Sequence, residues 1–75
     1  MEINDTNELI RKRVDAFYRL QKKVHISLRL GNWKRGIILE VLDSSLVLDE
    51  CLEGKIPIFF EEILKIDGYV ERGWK

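Results

Sequence analysis

The sequence predicts a mainly β domain in which one N-terminal α-helix precedes a five-stranded, strongly bent antiparallel barrel. Residues 24–30 alternate apolar and polar side chains, which is the period of a strand that buries one face. Gly31 and Gly36 interrupt the apolar runs at points where a small sheet would turn or bend. Turn-forming residues then recur roughly every eight to twelve residues as far as residue 70, a spacing typical of small closed barrels.

The chain opens with a pattern that predicts a helix over about residues 6–21. Asp5 is followed three residues later by Glu8, the pattern of a capping box that satisfies backbone N–H groups at a helix start. Apolar residues fall on one stripe of this helix, namely Leu9, Ile10, Val14, Phe17 and Leu20. Arg13 lies at the edge of the stripe and is expected to snorkel. The stripe is therefore expected to cover the open end of the sheet.

The opposite face of the predicted helix is strongly basic. Its residues are Arg11, Lys12, Asp15, Arg19, Lys22 and Lys23. Such a face suits an anionic partner such as single-stranded RNA, and it equally suits an ordinary solvated surface. No Gly or Pro precedes Val24, so nothing in the sequence marks where the helix ends.

Turn residues divide the rest of the chain into predicted strands at about 24–30, 33–42, 46–52, 56–60 and 63–70. The turns between them are Gly31-Asn32, Asp43-Ser44-Ser45, Glu53-Gly54-Lys55 and, as a short helical turn, Glu61-Glu62. Because proline cannot donate to a ladder, Pro57 predicts that the fourth strand lies at a sheet edge or begins there. Residues 71–75 carry no strand or helix pattern.

The length of 75 residues allows one domain, residues 1–75. So short a chain buries little core by itself, which favours self-association. Net charge is zero, yet residues 1–35 hold nine Lys/Arg against four Asp/Glu and residues 36–75 hold four against nine. The molecule is bipolar if the fold keeps these sets apart and evenly charged if it does not. No membrane span or secretion signal is found in the sequence, so we expect a cytoplasmic location and no membrane partner.

The sequence lacks the residue sets that catalysis and metal binding require. His25, the sole histidine, is predicted on the outward face of the first strand, and Cys51, the sole cysteine, is predicted to be a small residue of the third. No nucleophile–base pair, metal-ligand spacing or phosphate-binding glycine loop is present. We therefore expect no enzyme activity, no cofactor, no metal and no small-molecule substrate.

A helix followed by five strands with this glycine spacing resembles the Sm-like family, which includes Sm, LSm and bacterial Hfq proteins within the Src-homology-3-like barrel class. The first motif of that family is matched by Gly31, Gly36 and Asp43. The second is matched by residues 58–60 and by Ile63 with Ile66. The resemblance runs from the helix to residue 70 and implies an Sm-like fold.

The resemblance implies RNA binding only in part. Family members that bind uridine-rich RNA typically use an Asp, an apolar residue and an Asn after the second strand, and an Arg-Gly pair before the last. Asp43 has a counterpart there, one residue further from Gly36 than usual, whereas serines follow it and Phe59-Phe60-Glu61 stands where the Arg-Gly pair would be. RNA contacts are then expected from the basic helix and this turn. The candidate RNA-binding residues are Arg11, Arg19, Lys22, Lys23, Asp43 and Ser45.

The resemblance also implies a homo-oligomeric ring, in which the fourth strand of one copy pairs with the fifth strand of the next. The candidate interface residues are Ile58, Phe59, Phe60 and Ile66. The leading hypothesis is an oligomeric RNA-binding module without catalysis. The alternative is the same barrel used for protein interaction or structural assembly, which the missing Arg-Gly pair and the zero net charge favour.

Overall fold

The computed structural model describes residues 7–68, which form a helix followed by a five-stranded antiparallel sheet. The elements are α1 (Asn7–Leu20), β1 (Val24–Leu28), β2 (Trp33–Val41), β3 (Ser45–Glu50), β4 (Gly54–Phe59), a 3-10 turn (Phe60–Glu62) and β5 (Ile63–Gly68). The strand order is β4-β3-β2-β1-β5. The predicted order of elements is confirmed. Asp5 of the capping box, residues 69 and 70 of the predicted fifth strand and residues 71–75 lie outside the described part of the chain.

Helix α1 ends in a left-handed residue that is not glycine. Gln21 has a φ of 53°. The N–H of Gln21 donates to the Tyr18 carbonyl at 3.1 Å, and the N–H of Lys22 donates to the Phe17 carbonyl at 3.1 Å. These two bonds are those of a Schellman motif, which satisfies carbonyls at the end of the helix. The chain can then turn directly into β1.

The core lies between the sheet and one face of α1, which packs on β2, β5 and the 3-10 turn. Its buried residues are Ile10, Val14, Val24, Ile26, Ile38, Leu46, Leu48, Ile58, Phe60, Ile63 and Ile66. The predicted helix stripe is too wide, because Leu9 and Leu20 remain 43% and 68% exposed at the rim. Phe17, a member of the predicted stripe, packs against the core as expected, and so does Tyr18, which the stripe did not include.

The β1–β2 connection begins two residues earlier than predicted. The N–H of Leu28 donates to the Asn32 carbonyl at 2.8 Å, and the N–H of Gly31 donates to the Leu28 carbonyl at 3.0 Å. Gly31 has a φ of 95°, which favours glycine. Leu30 is therefore a loop residue that is 90% exposed, and its place in the predicted buried strand is wrong.

Gly36 allows β2 and β3 to cross closely. A Cβ at this position would overlap the backbone carbonyl of Asp49, so any larger residue would force the two strands apart. The predicted bend at Gly36 fits this close approach, and a register shift between Ile38 and Glu40 follows it. Together they give the sheet its strong curvature.

The third strand ends at Glu50, two residues before its predicted end. The Glu50 carboxylate accepts the N–H groups of Leu52 and Glu53 at 2.8 and 2.7 Å, which folds residues 51–53 into a turn. These two hydrogen bonds, from Glu53 first and then Leu52, lower the pKa of the Glu50 carboxyl. Cys51 is consequently an exposed turn residue, contrary to its predicted place in the strand.

Strands β4 and β5 form the two edges of the sheet. Within residues 7–68 they do not pair with each other, and the 3-10 turn joins them. Pro57 lies on an edge strand, as predicted.

Candidate nucleic-acid interface

A cleft between α1 and the β2–β3 turn brings together residues from distant parts of the sequence. The Arg11 guanidinium donates a hydrogen bond to the Asp43 carbonyl and lies 4.6 Å from the centroid of the Phe60 ring. The cleft encloses about 420 Å³ and is lined by Arg11, Asp43, Ser44, Phe59, Phe60 and Glu61. It continues past Arg11 to Ser45. Three of the predicted RNA-binding residues therefore share one site: Arg11, Asp43 and Ser45.

Backbone hydrogen bonds fix the walls of this cleft. The N–H of Leu42 donates to the Ser45 carbonyl at 2.8 Å and closes the β2–β3 turn around Asp43 and Ser44. The N–H of Phe60 donates to the Ser44 carbonyl at 3.0 Å, which ties the 3-10 turn to the same loop. Ile10, directly before Arg11, is buried in the core and orients the helix. The cleft is thus built on anchored backbone.

The chemistry of the cleft is that of a site for an anionic, planar ligand. The Arg11 guanidinium supplies charged donors for phosphate and a flat surface on which a base stacks. Ser44 and Ser45 add hydroxyl groups that donate and accept hydrogen bonds. Glu61 adds an acidic residue to the lining. Among residues 7–68, the lining of the site therefore combines one basic residue, Arg11, with polar groups.

The other predicted basic residues lie at the far end of α1. Arg19 is about 12 Å further along the helix axis than Arg11 and pairs with Asp15 at 3.4 Å. Lys22 and Lys23 follow Gln21 in the connection to β1. The structure thus separates the predicted basic face into the Arg11 cleft and a basic region at the helix end, formed by Arg19, Lys22 and Lys23.

The charges of the two sequence halves are partly interleaved. Arg13 pairs with Asp67 at 3.5 Å, and Lys34 pairs with Glu53 at 3.1 Å. Each of these ion pairs joins a basic residue of 1–35 to an acidic residue of 36–75. The structure therefore does not divide the charges into two wholly separate faces.

One aromatic cluster was missed by the sequence analysis. The rings of His25 and Trp33 stack with centroids 5.0 Å apart and planes at 22°. The Arg35 guanidinium lies 5.5 Å from the Trp33 ring. Period-2 alternation places Trp33 and Arg35 on one face of β2, so the cluster could have been found from β1–β2 pairing. It lies on the outer face of the sheet, where Trp33 is 52% exposed and His25 and Arg35 are half-buried.

The four predicted interface residues divide by burial. The side chains of Ile58, Phe60 and Ile66 are at most 5% exposed and belong to the core, whereas Phe59 is 47% exposed. The side chains of these three residues are therefore not available for contact with another copy. Phe59 offers both backbone and ring at the free edge of β4.

The hydrogen-bonding register of the sheet determines which backbone groups point outwards at each edge. Because the N–H of Phe60 bonds to Ser44, alternation points the backbone groups of Lys55, Pro57 and Phe59 away from β3. The same alternation points those of Ile66 and Gly68 away from β1, since the N–H of Leu28 bonds to Asn32 in β1–β2 pairing. Both edges therefore carry backbone groups that no strand within residues 7–68 uses.

The described residues contain neither a metal-ligand cluster nor a helix that could span a membrane. Among residues 7–68, no group of three His, Cys, Asp or Glu side chains is arranged to hold a metal ion. In the same part of the chain, no helix has the length and apolar character needed to cross a membrane.

The structure is similar to a crystal structure of the pleiotropic translational regulator Hfq, with a TM-score of 0.68 and 19% sequence identity. The similarity covers 77% of this chain and 95% of the Hfq chain. No protein-family model and no curated protein matches the sequence. The resemblance inferred from Gly31, Gly36 and Asp43 is thereby confirmed at the level of the fold, which is Sm-like.

Proposed function

From the Sm-like fold that this chain shares with Hfq, we propose that it is an oligomeric RNA-binding module without catalytic activity. The observation that carries the proposal is the cleft in which Arg11, Asp43 and Ser45 meet. In this cleft Asp43, the residue that matches the family's loop motif, contacts Arg11 of the basic helix, although 32 positions separate the two residues. Uridine-rich single-stranded RNA is the proposed ligand class.

In this proposal a base stacks on the Arg11 guanidinium, and the serine hydroxyls and Asp43 bind its polar edge. The basic region of Arg19, Lys22 and Lys23 then attracts the phosphates that leave the cleft. The Arg19–Asp15 ion pair does not oppose this role, because an exposed i,i+4 pair contributes only about 0.3–0.5 kcal/mol.

Assembly is proposed to occur by antiparallel pairing of β4 from one copy with β5 of the next. Directly opposed residues in such a pair share one side of the sheet. The β4 residues whose backbone groups point outwards, Lys55, Pro57 and Phe59, have their side chains on the outer face of the sheet. The side chain of Ile66 in β5 lies on the other face, in the core beneath α1. The pairing therefore carries Pro57 and Phe59 of one copy towards the helix of its neighbour.

A groove that receives them lies beside β5. It encloses about 260 Å³ and is lined by Leu9, Ile10, Arg13, Leu64, Lys65, Ile66 and Asp67. Leu9 and Leu64 are 43% and 52% exposed, and Phe59 is 47% exposed. Burial of these apolar side chains against one another favours association of copies. The Arg11 clefts and basic helix ends would then repeat around the oligomer and multiply their positive field.

The proposal is tested by fluorescence anisotropy of a labelled uridine-rich RNA with three variants. Arg11→Gln is expected to weaken binding roughly tenfold, because it removes a charged donor from the cleft. The triple variant Arg19→Glu, Lys22→Glu and Lys23→Glu is expected to abolish binding. The control is Leu52→Glu, which adds a negative charge at the 89% exposed β3–β4 turn outside both regions and should bind normally.

Unchanged affinity in both the Arg11 variant and the triple variant would exclude the proposed surface. Equal loss in all three variants, including Leu52→Glu, would show a general charge effect in place of a defined site.

The second candidate function is a protein-interaction module with the same barrel. The observation that favours it is the cluster in which the exposed Trp33 ring contacts the half-buried His25 and Arg35, since Trp and Arg are enriched at the centres of protein interfaces. A protein partner that survives nuclease treatment and is lost in Trp33→Ala would support this alternative.

A further inference from the structure

The free edge of β5 is already engaged by an arginine of α1. The Arg13 guanidinium donates to the carbonyl of Ile66 at 3.1 Å. It also pairs with the Asp67 carboxylate at 3.5 Å. The Ile66 carbonyl is one of the outward pointing groups that a strand of another copy would use. One acceptor of this edge therefore has a side-chain donor before any strand is added.

The free edge of β4 lacks a donor at one position. Its outward pointing residues are Lys55, Pro57 and Phe59, and the middle one has no backbone N–H. When a strand of another copy pairs with β4, the carbonyl of the residue opposite Pro57 therefore receives no hydrogen bond from β4. Buried carbonyls without a donor are destabilising, so this carbonyl needs another partner.

We propose that Arg13 supplies the donor that Pro57 lacks, and that this sets the register in which copies join. In that register Pro57 of one copy lies opposite Ile66 of the next. The inference rests on the proposed assembly of β4 with β5. It adds the alignment of the two strands and a role for Arg13.

Alternative registers leave the two edges mismatched. A shift of two residues in one direction places Phe59 opposite Ile66 and moves Pro57 opposite Gly68, whose carbonyl then has no donor. A shift in the other direction places Lys55 opposite Ile66. In both cases a backbone N–H and Arg13 are directed at the same Ile66 carbonyl, while Pro57 lies opposite a residue whose carbonyl is not the one that Arg13 bonds.

The proposed register also agrees with the apolar groove. When Pro57 lies opposite Ile66, Phe59 falls beside Leu64, which is two residues before Ile66 in an antiparallel pair. Leu9 lines the same groove. The exposed ring of Phe59 is therefore covered by exposed leucines of the neighbouring copy.

Association is measured by sedimentation velocity over a range of concentrations for the wild type, Arg13→Ala, Pro57→Ala and the double variant. Arg13→Ala is expected to weaken association about 10- to 100-fold, because the Ile66 carbonyl loses its donor at the interface. Pro57→Ala restores a backbone N–H, so the double variant is expected to recover most of that loss. Lys12→Ala is the matched control, since it removes one positive charge from the outer face of α1 and should associate as the wild type does.

A second measurement identifies the register without changing Arg13. In a Cys51→Ser background, chains that carry Phe59→Cys are mixed with chains that carry Leu64→Cys and are oxidised. The proposed register predicts a disulfide between chains in the mixture and none in either chain alone. A shift of two residues separates the two positions by about 6.8 Å more, which is beyond the reach of a disulfide.

The outcomes separate the register from the assembly. A wild-type chain that stays monomeric at micromolar concentration would overturn both the assembly and the register. An assembling wild type whose Arg13→Ala variant associates equally well or more tightly would overturn the register alone, and so would a mixture that forms no disulfide. Failure of Pro57→Ala to restore association in the double variant would likewise remove the coupling between Arg13 and Pro57.

Discussion

Glu50 holds the β3–β4 turn through its ionised carboxylate. The residue is only 8% exposed, and its two oxygen-to-backbone bonds of 2.8 and 2.7 Å engage Leu52 and Glu53. Hydrogen bonds to the charged form lower the pKa of the Glu50 carboxyl, and the positive charges of Lys34 and Arg35 act in the same direction. The folded chain therefore binds a proton at Glu50 less readily than the unfolded chain does.

The lowered pKa predicts a pH-dependent effect of Glu50→Gln. A group whose pKa is depressed on folding stabilises the fold above its unfolded pKa, about 4.3 for glutamate, and that contribution is lost as pH falls through the folded pKa. Glu50→Gln is expected to unfold at a lower urea concentration than the wild type at pH 7. The difference should shrink below about pH 4 as the wild-type carboxyl becomes protonated. Leu52→Ala in the same turn retains the carboxylate and is the control. A difference that stays constant from pH 7 to pH 3 would contradict the prediction.

For single residues, the sequence indicates which ones are candidates for a functional site, whereas the contacts between them are known only from the fold. Arg11 and Asp43 could be selected from charge and motif spacing, yet nothing in a single sequence indicates that they touch across 32 positions. The Arg13 bond to Ile66 was equally out of reach, because it depends on which backbone groups of β5 face outwards. The helical pattern indicated only that Arg13 lies at the edge of the apolar stripe.

At the scale of elements, α1 ends at a residue other than glycine that adopts the left-handed backbone conformation. Gln21 has a φ of 53°, and its side-chain amide donates to the Tyr18 carbonyl at 3.0 Å. The left-handed conformation costs an L-residue roughly 1–2 kcal/mol, which glycine avoids. Because glycine is the usual signal for this cap, its absence left the helix end undetermined by the sequence.

Gln21→Gly is expected to raise the free energy of unfolding by about 0.5–1 kcal/mol. The gain is the relief of the left-handed conformation, reduced by the greater freedom of glycine in the unfolded chain. Thermal or urea unfolding measures it. Ala16→Gly, an exposed position inside α1, is the matched control and should lower stability by about 1 kcal/mol. Destabilisation by Gln21→Gly of similar size to that of the control would contradict the proposed strain.

Strand positions were predictable from apolar periodicity, whereas two strand ends were not. Leu30 and Leu52 continue the apolar pattern of β1 and β3, yet both lie in turns and are 90% and 89% exposed. The Gly31 turn and the Glu50 carboxylate end these strands by hydrogen bonding. Periodicity reports which residues suit a buried face, and it does not report such competing bonds.

At the scale of the whole molecule, the sheet leaves both of its edges open within residues 7–68. Exposed edges favour pairing with further strands, and so short a chain gains stability from covering them. The helix, the five strands and the glycine spacing together predicted the Sm-like fold, and Gly36 permits the close crossing of β2 and β3 in it. RNA binding was not predictable with the same strength, since the loop that usually carries it is shortened to Ser44 and Ser45.

The proposed RNA binding is tested most directly by the salt dependence of wild-type affinity for a labelled uridine-rich single strand. Four cations, Arg11, Arg19, Lys22 and Lys23, are proposed to contact the strand, and each phosphate contact contributes about −0.7 to the slope of log K against log salt. Anisotropy titrations are therefore expected to show binding at low salt with a slope of about −3. Absence of binding at low salt, or affinity that does not change with salt, would contradict the account.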